Sequence, residues 1–153
     1  MCTGRIRARV SSAVPIAIGY VSRRKMAFHK RGADGSGKAD AAYTGSDGDK
    51  VWGVVFSLSL QHKSVLDDHE SGYGVEQVPV IARGETITAS IYVAGAHSID
   101  ASLEPYCWYH RFVLHGALQH RLPSTYVEHL KTIKTVTDHD LARREMNSQI
   151  LSE

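Results

Sequence analysis

Four groups of residues in this chain have types and spacings that could do chemistry. The segment Gly32-Ala33-Asp34-Gly35-Ser36-Gly37-Lys38-Ala39 is one residue away from a phosphate-cradling G-x-x-x-x-G-K-[ST] loop. The departing residue is Ala39, which has no hydroxyl to hold magnesium, and the turn-rich stretch from Asp40 to Asp49 offers no helix to aim its amides at a phosphate. Nine histidines, together with Asp67, Asp68, His69 and Glu70, could supply metal ligands. No H-E-x-x-H pair occurs, however, and His110, His115 and His120 recur every five residues, which spreads them around a helix and reads as solvated surface. Cys107 and His110 could be written as a thiol and its base, but a lone cysteine among Tyr106, Trp108 and Tyr109 reads as a small core residue. The last candidate is Glu70, which ends an acidic run and precedes Ser71-Gly72-Tyr73. An exposed carboxylate there does nothing, whereas one raised toward neutral pH by burial is a general base.

The elements that must position these groups follow from periodicity. Met26 to His29 reads as a short strand, and the Gly, Ala, Asp and Ser-rich stretch from Gly32 to Asp49 as a long loop or two turns. Val51 to Leu58 alternates, with Trp52, Val54, Phe56 and Leu58 on one face. Ser59 is placed to cap a helix with Leu60, Ser64 and Val65 on one side, ended by Ser71 and Gly72, so that Glu70 falls at its C-terminal end. Val75 to Ala82 and Thr86 to Val93 read as a hairpin turning at Arg83, Gly84 and Glu85. Beyond Pro105 the period becomes helical, with Tyr109, Phe112, Val113 and Gly116 on one helix and Tyr126, Leu130 and Ile133 on a second opened by Pro123. Asp138 is placed to cap a final polar, loosely held helix. Strands interrupted by one short helix and followed by helices predict an α+β domain with a small mixed or antiparallel sheet or barrel.

Composition agrees with one domain. The chain has 153 residues, 42% of them apolar, enough for one sizeable core. A net charge of +2 with interspersed signs after residue 34 excludes an electrostatic footprint for nucleic acid. Two isolated cysteines, Cys2 and Cys107, make neither a disulfide framework nor a zinc knuckle and fit a reducing cytoplasm. No apolar run approaches the ~20 residues of a membrane span, which predicts a soluble protein with no membrane partner. Arg5, Arg7, Arg9, Arg23 and Arg24 among serines, ahead of the first acidic residue Asp34, have the composition of a mitochondrial transit peptide, but the segment is better explained as part of the domain.

Read in order, the residues resemble the γ-glutamylcyclotransferase-like family over about residues 1–135, leaving 136–153 as a polar, helical C-terminal tail. The resemblance is carried by Arg5-Ile6 with Arg9 and Ser12-Ala13, by Gly48 through Val55, by Leu66-Asp67-Asp68-His69-Glu70, by Pro105-Tyr106 with Trp108-Tyr109, by Gly116-Ala117, and by Leu122-Pro123 with Tyr126, Leu130 and Ile133. Phe28 to Arg31 followed by Asp34 to Asp40 looks like the bacterial-type branch. The resemblance implies a small mixed β-barrel flanked by helices. It also implies an enzyme that needs no metal or cofactor and acts on a small γ-glutamyl substrate. Glu70 would take a proton from the substrate's α-amino group, which closes on its own γ-carbonyl to give 5-oxoproline and a free amine, reprotonated by the same carboxyl. The amine is left open: an amino acid, a cysteinyl dipeptide as in glutathione, a polyamine or a lysine side chain.

By the same resemblance Tyr109 would support Glu70 or substrate through its hydroxyl, with helix packing as the alternative, and Tyr73 stands where the family has an aromatic after the glutamate, with packing against the sheet as its first role and support of the site as the other. The family's Y-G-S-N loop, whose backbone amides serve the oxyanion and grip the glutamyl end, has no counterpart in this sequence. Met1 and Cys2 match its trailing edge as a remnant of the binding loop, and the first barrel strand is expected to be missing, through a start placed too far downstream or a true loss. Such a chain is expected to be poorly stable. A catalytically silent binding or structural member is the alternative.

Overall fold

The computed structural model describes residues 2–150. A short helix α1 (Thr3–Arg9) leads into β1 (Val14–Ser22), β2 (Arg24–Arg31), β3 (Gly37–Tyr43) and β4 (Lys50–Ser57). A turn of 3-10 helix at Leu60–His62 runs into α2 (Lys63–His69), followed by β5 (Tyr73–Ala82) and β6 (Glu85–Ala94). Three helices complete the chain: α3 (Cys107–Gln119), α4 (Ser124–Lys131) and α5 (Leu141–Gln149). No helix among these residues is long and apolar enough to cross a membrane.

The strands form one four-stranded sheet in the order β4-β1-β5-β6 and a separate two-stranded ribbon of β2 and β3. The α+β class with flanking helices is as expected, but the expected barrel does not close. β1 is paired with β4 from Val14↔Ser57 to Ser22↔Lys50, yet it meets β5 only at Tyr20↔Ile81. The approach is close at Gly19, where an added Cβ would lie 2.6 Å from the Ile81 carbonyl oxygen. Earlier in β1, Val14, Ile16 and Ile18 are exposed.

β4 works as the alternating strand its sequence predicts. Trp52 and Val54 pack on Ala117, Leu122, Val127 and Leu130 of the α3–α4 layer, and Phe56 joins the cluster of Ile6, Val10, Ala13 and Leu66 beneath α1 and α2. On the opposite face Val51 and Val55 meet Val21, Val78 and Val80. The β5–β6 hairpin turns on two residues, Arg83 and Gly84, with φ of 51° and 84°. Both lie in the left-handed region that a two-residue hairpin turn requires.

Four expectations are corrected. The stretch from Gly32 to Asp49 is not all loop, because β3 occupies Gly37–Tyr43 and pairs with β2. Ser59 flanks the 3-10 turn without a side-chain cap bond, and Leu66, not Leu60 or Val65, is the buried residue of α2. Asp140, not Asp138, caps α5, accepting from the Arg143 N–H. Finally, the histidines are not uniformly solvated surface: His110 is buried and its Nε2 lies 2.8 Å from the Leu130 carbonyl oxygen, tying α3 to α4.

The last helix is also firmly held. Asp138, 2% exposed, accepts from Trp108 Nε1 at 2.8 Å and from Arg143 through Nε and Nη2 at 2.6 and 2.5 Å. Arg5 Nη1 reaches Asn147 Oδ1 at 3.1 Å, joining the first helix to the last.

Candidate active site

Glu70 stands just past the end of α2, where its N–H bonds the Asp67 carbonyl at 3.1 Å and the backbone leaves the helix. Gly72, at φ 82°, turns the chain into β5, and the Tyr73 N–H closes the turn on the Glu70 carbonyl at 3.1 Å. Two further groups clamp this turn. The buried Lys30 donates to the Ser71 carbonyl at 2.7 Å, and the Ser98 hydroxyl donates to the Gly72 carbonyl at 3.0 Å. A carboxylate on a turn held from both sides has few alternative positions.

The Glu70 side chain is 13% exposed, and its Oε1 accepts from Arg9 Nη1 at 2.6 Å. Arg9 comes from α1, whose Ile6 is buried with Leu66 of α2, so the packing of the two helices sets the pair. Burial pushes the Glu70 carboxyl above the usual glutamate range, while Arg9, Arg5 and His69 pull against it. A carboxylate so balanced is held in place while its proton affinity is raised, which is what a general base requires.

Arg5 lies one helical turn before Arg9 on the same side of α1. Its guanidinium sits 4.4 Å over the Phe112 ring and about 6 Å from those of Trp108 and Tyr109. Burial, and then the neighbouring Arg9, lower its pKa. Tyr109 and Tyr73 converge from different elements on a single residue of β3. The Ala39 N–H donates to the Tyr109 hydroxyl at 3.1 Å, and the Tyr73 hydroxyl donates to the Ala39 carbonyl at 2.8 Å. Burial raises the pKa of both phenols. The charge of Glu70 is a lesser cause acting in the same direction on each.

The near-miss phosphate loop does a structural job. Between β2 and β3, Gly32 N–H bonds the Ser36 carbonyl, and Lys38 Nζ is bound by Asp34 Oδ2 and Ser36 Oγ, each at 2.7 Å. Lys38 also lies 4.6 Å from the centre of the Tyr109 ring and 5.0 Å from that of Trp108. The ribbon is docked on β6 through Asp40, which is buried, accepts from the Ala94 N–H at 2.9 Å, and has His29 Nε2 at 2.8 Å. Residues 29–40 therefore place Ala39, and through it the two tyrosines. In the sequence Ala39 stands only as the residue that departs from a phosphate loop, and Lys30 and Asp40 only within segments that carry the family resemblance; their roles arise when the ribbon lies against β5, β6 and α3.

Of the other residues singled out from sequence, Cys2 is 2% exposed and packs with Trp108 and Phe112, while Met1 lies outside the described residues. Cys107 Sγ lies 3.2 Å from the Val136 carbonyl oxygen and 3.3 Å from Thr135 Oγ1. Among the described residues no cluster of three or more histidine, cysteine or carboxylate side chains could hold a metal. Two surface depressions, of about 280 and 310 Å³, are lined by residues such as Trp52 and Tyr126 or Phe28 and Ile133; neither is lined by Glu70.

A model of the AIG2-like family matches residues 50–130. The γ-glutamylcyclotransferase of Mus musculus is 32% identical over 146 residues, spanning 88% of this chain and 74% of the mouse protein. That of Homo sapiens is 30% identical over the same shares. Among solved structures, a γ-glutamyl cyclotransferase superposes with a TM-score of 0.86 at 26% identity, over 99% of this chain and 93% of that one.

Proposed function

We propose that this chain, an enzyme that belongs to the γ-glutamylcyclotransferase-like, AIG2-like family, cyclises γ-glutamyl amino acids or γ-glutamyl amines to 5-oxoproline, with Glu70 as general base and then acid. The observation that carries the reading is the Glu70–Arg9 pair: a largely buried carboxylate with raised proton affinity, 2.6 Å from a cation. The neutral α-amino nitrogen attacks the γ-carbonyl carbon while Glu70 takes one of its protons. The new carbon–nitrogen bond closes the five-membered ring as a lactam, and the old amide bond breaks. The departing amine takes the proton that Glu70 holds.

Nucleophile and electrophile belong to one molecule, so the enzyme's task is to hold the closing conformation, and such intramolecular reactions reach effective molarities of ~10⁵–10⁸ M. Tyr73 and Tyr109 serve that end by fixing the wall behind Glu70. The Tyr109 oxygen accepts from Ala39, so its own proton can donate toward the carboxylate or the substrate. The family resemblance assigns the oxyanion donors to backbone amides of a Y-G-S-N loop.

The test is 5-oxoproline release, followed by mass spectrometry, from several γ-glutamyl amino acids and glutathione. Glu70→Gln should reduce the rate by ~10²–10⁴-fold, the usual worth of general acid–base catalysis. The two depressions described above are not lined by Glu70, which leaves a silent binding member as the second reading. That reading predicts no product from any substrate.

A further inference from the structure

We propose that Lys30 is a positioning residue for Glu70: its ammonium ties the turn that carries the carboxylate to the same ribbon that fixes the two tyrosines. The inference deepens the cyclotransferase reading and rests on it. Lys30, on β2, is 8% exposed. Its Nζ donates to the Ser71 carbonyl at 2.7 Å and lies 4.9 Å from the centre of the Tyr73 ring, so it grips the turn on both sides of Gly72. Gly72 makes room for it: a Cβ there would fall 3.0 Å from Lys30 Cε and 3.1 Å from Nζ. No carboxylate pairs with this ammonium among the described residues.

A buried cation without a carboxylate partner is a costly way to fill space, and an apolar side chain of the same length would avoid the cost. What an apolar side chain cannot do is bond the Ser71 carbonyl. That bond closes a circuit. From the turn, Lys30 leads into β2, and β2 pairs with β3 at Lys30↔Lys38 and Ala27↔Asp40. Between those two residues of β3, the Ala39 carbonyl accepts the Tyr73 hydroxyl at 2.8 Å, and Tyr73 returns the chain to the turn. Tyr109 joins the circuit at the Ala39 N–H, 3.1 Å from its hydroxyl. The ribbon is itself pinned close by, through the Asp100 N–H on the His29 carbonyl at 2.7 Å and the Lys30↔Ile99 bridge. The Ser98 hydroxyl also holds the turn, at the Gly72 carbonyl, but from outside the ribbon. Without Lys30 the turn loses one of its two side-chain ties to the ribbon, and Glu70 is the residue next to the lost tie. Carboxylate and phenols then share a looser frame, and a misplacement of ~1 Å is enough to cost ~100-fold in rate.

Amide hydrogen exchange separates this claim from turnover. The Tyr73 N–H bonds the Glu70 carbonyl at 3.1 Å and so reports on the turn. Lys30→Met should speed its exchange by ~10–100-fold, the worth of a hydrogen bond from a charged donor, while amides in the rest of the β5–β6 hairpin exchange as before. For 5-oxoproline release kcat should fall by ~10–100-fold with KM little changed. Lys30→Arg, which restores a charged donor, should recover part of both losses. Should Lys30→Met fail to melt cooperatively, Lys30→Gln takes its place with the same expectations. Unchanged exchange at Tyr73, an equal rise throughout the hairpin, or an unchanged kcat would each overturn the assignment. So would a raised KM at full kcat, which would make Lys30 a substrate-binding cation. Faster exchange confined to the turn and reversed by Lys30→Arg, in a protein that releases no 5-oxoproline, would uphold the tie and sink the cyclotransferase reading instead.

Discussion

Replacing Arg9 by methionine retains the length of an apolar stem and removes the cation 2.6 Å from Glu70 Oε1. Two opposed effects set the proton affinity of Glu70: burial, the larger, raises it, and Arg9 leads the charges that lower it. Without Arg9, burial is opposed by Arg5 and His69, so the carboxyl moves further up. An arginine in contact lowers a carboxyl pKa by ~1–3 units. At roughly 4 Å between charge centres and an effective dielectric constant near 20, Coulomb's law gives ~4 kcal/mol, an upper bound. Arg9 is 23% exposed and Glu70 13%, so solvent screening places the shift in the lower part of that range, ~1–2 units. The general base acts ionised, so the acidic limb of kcat/KM for 5-oxoproline release should move up by ~1–2 pH units, with less change on the plateau. The same linkage has a stability sign. A carboxyl whose folded pKa is raised stabilises the fold most below its unfolded value, and that contribution is lost as pH rises through the folded value. The loss should extend to higher pH in Arg9→Met, read by urea unfolding at a series of pH values. An acidic limb that stays in place, or moves down, refutes the claim that Arg9 tunes Glu70.

Three further outcomes follow from the scaffold. Tyr109→Phe should lower stability by ~1–2 kcal/mol, because it leaves the Ala39 N–H without its acceptor, and should lower kcat more than it raises KM; urea unfolding and steady-state kinetics check both. Gly37→Ala should destabilise by at least ~1–3 kcal/mol, since its Cβ would fall 2.1 Å from the Phe28 carbonyl oxygen, and thermal melting reads the change. Asp138 is held well below the usual carboxylate range, first by its bonds from Arg143 and then also by Trp108. Its contribution is present above the unfolded pKa and lost as pH falls toward the folded one, so Asp138→Asn should flatten the acid limb of the stability profile while lowering stability at neutral pH.

Much of the second half of the fold was legible in the sequence because periodicity and punctuation agreed there. The strict alternation of β6, the Arg83-Gly84 turn, and Pro123 opening α4 each point to the structure found. β3 was hidden by its small and polar residues; it is a strand because β2 pairs with it and Ala94 bonds Asp40, neither of which a local reading contains. β1 hides its role by inversion: its large residues Val14, Ile16 and Ile18 face solvent, while Gly19 is buried where β5 comes close. Asp138 looked like a helix cap because its type suits one, yet it is the buried acceptor for Trp108 and Arg143. The position of Glu70 came from resemblance, and its burial came only from the packing of α1 on α2. Arg9 was visible as a matching residue but not as the partner of Glu70, because 61 residues separate the two in the chain.

The central claim is that Glu70 performs proton transfer in a ring closure. It is tested most directly by measuring 5-oxoproline formed from γ-glutamyl amino acids by this protein and by its Glu70→Gln variant, with both shown to be folded. Product from the first and ~10²–10⁴-fold less from the second is the predicted result. Equal rates from the two proteins, or product from neither, would contradict it.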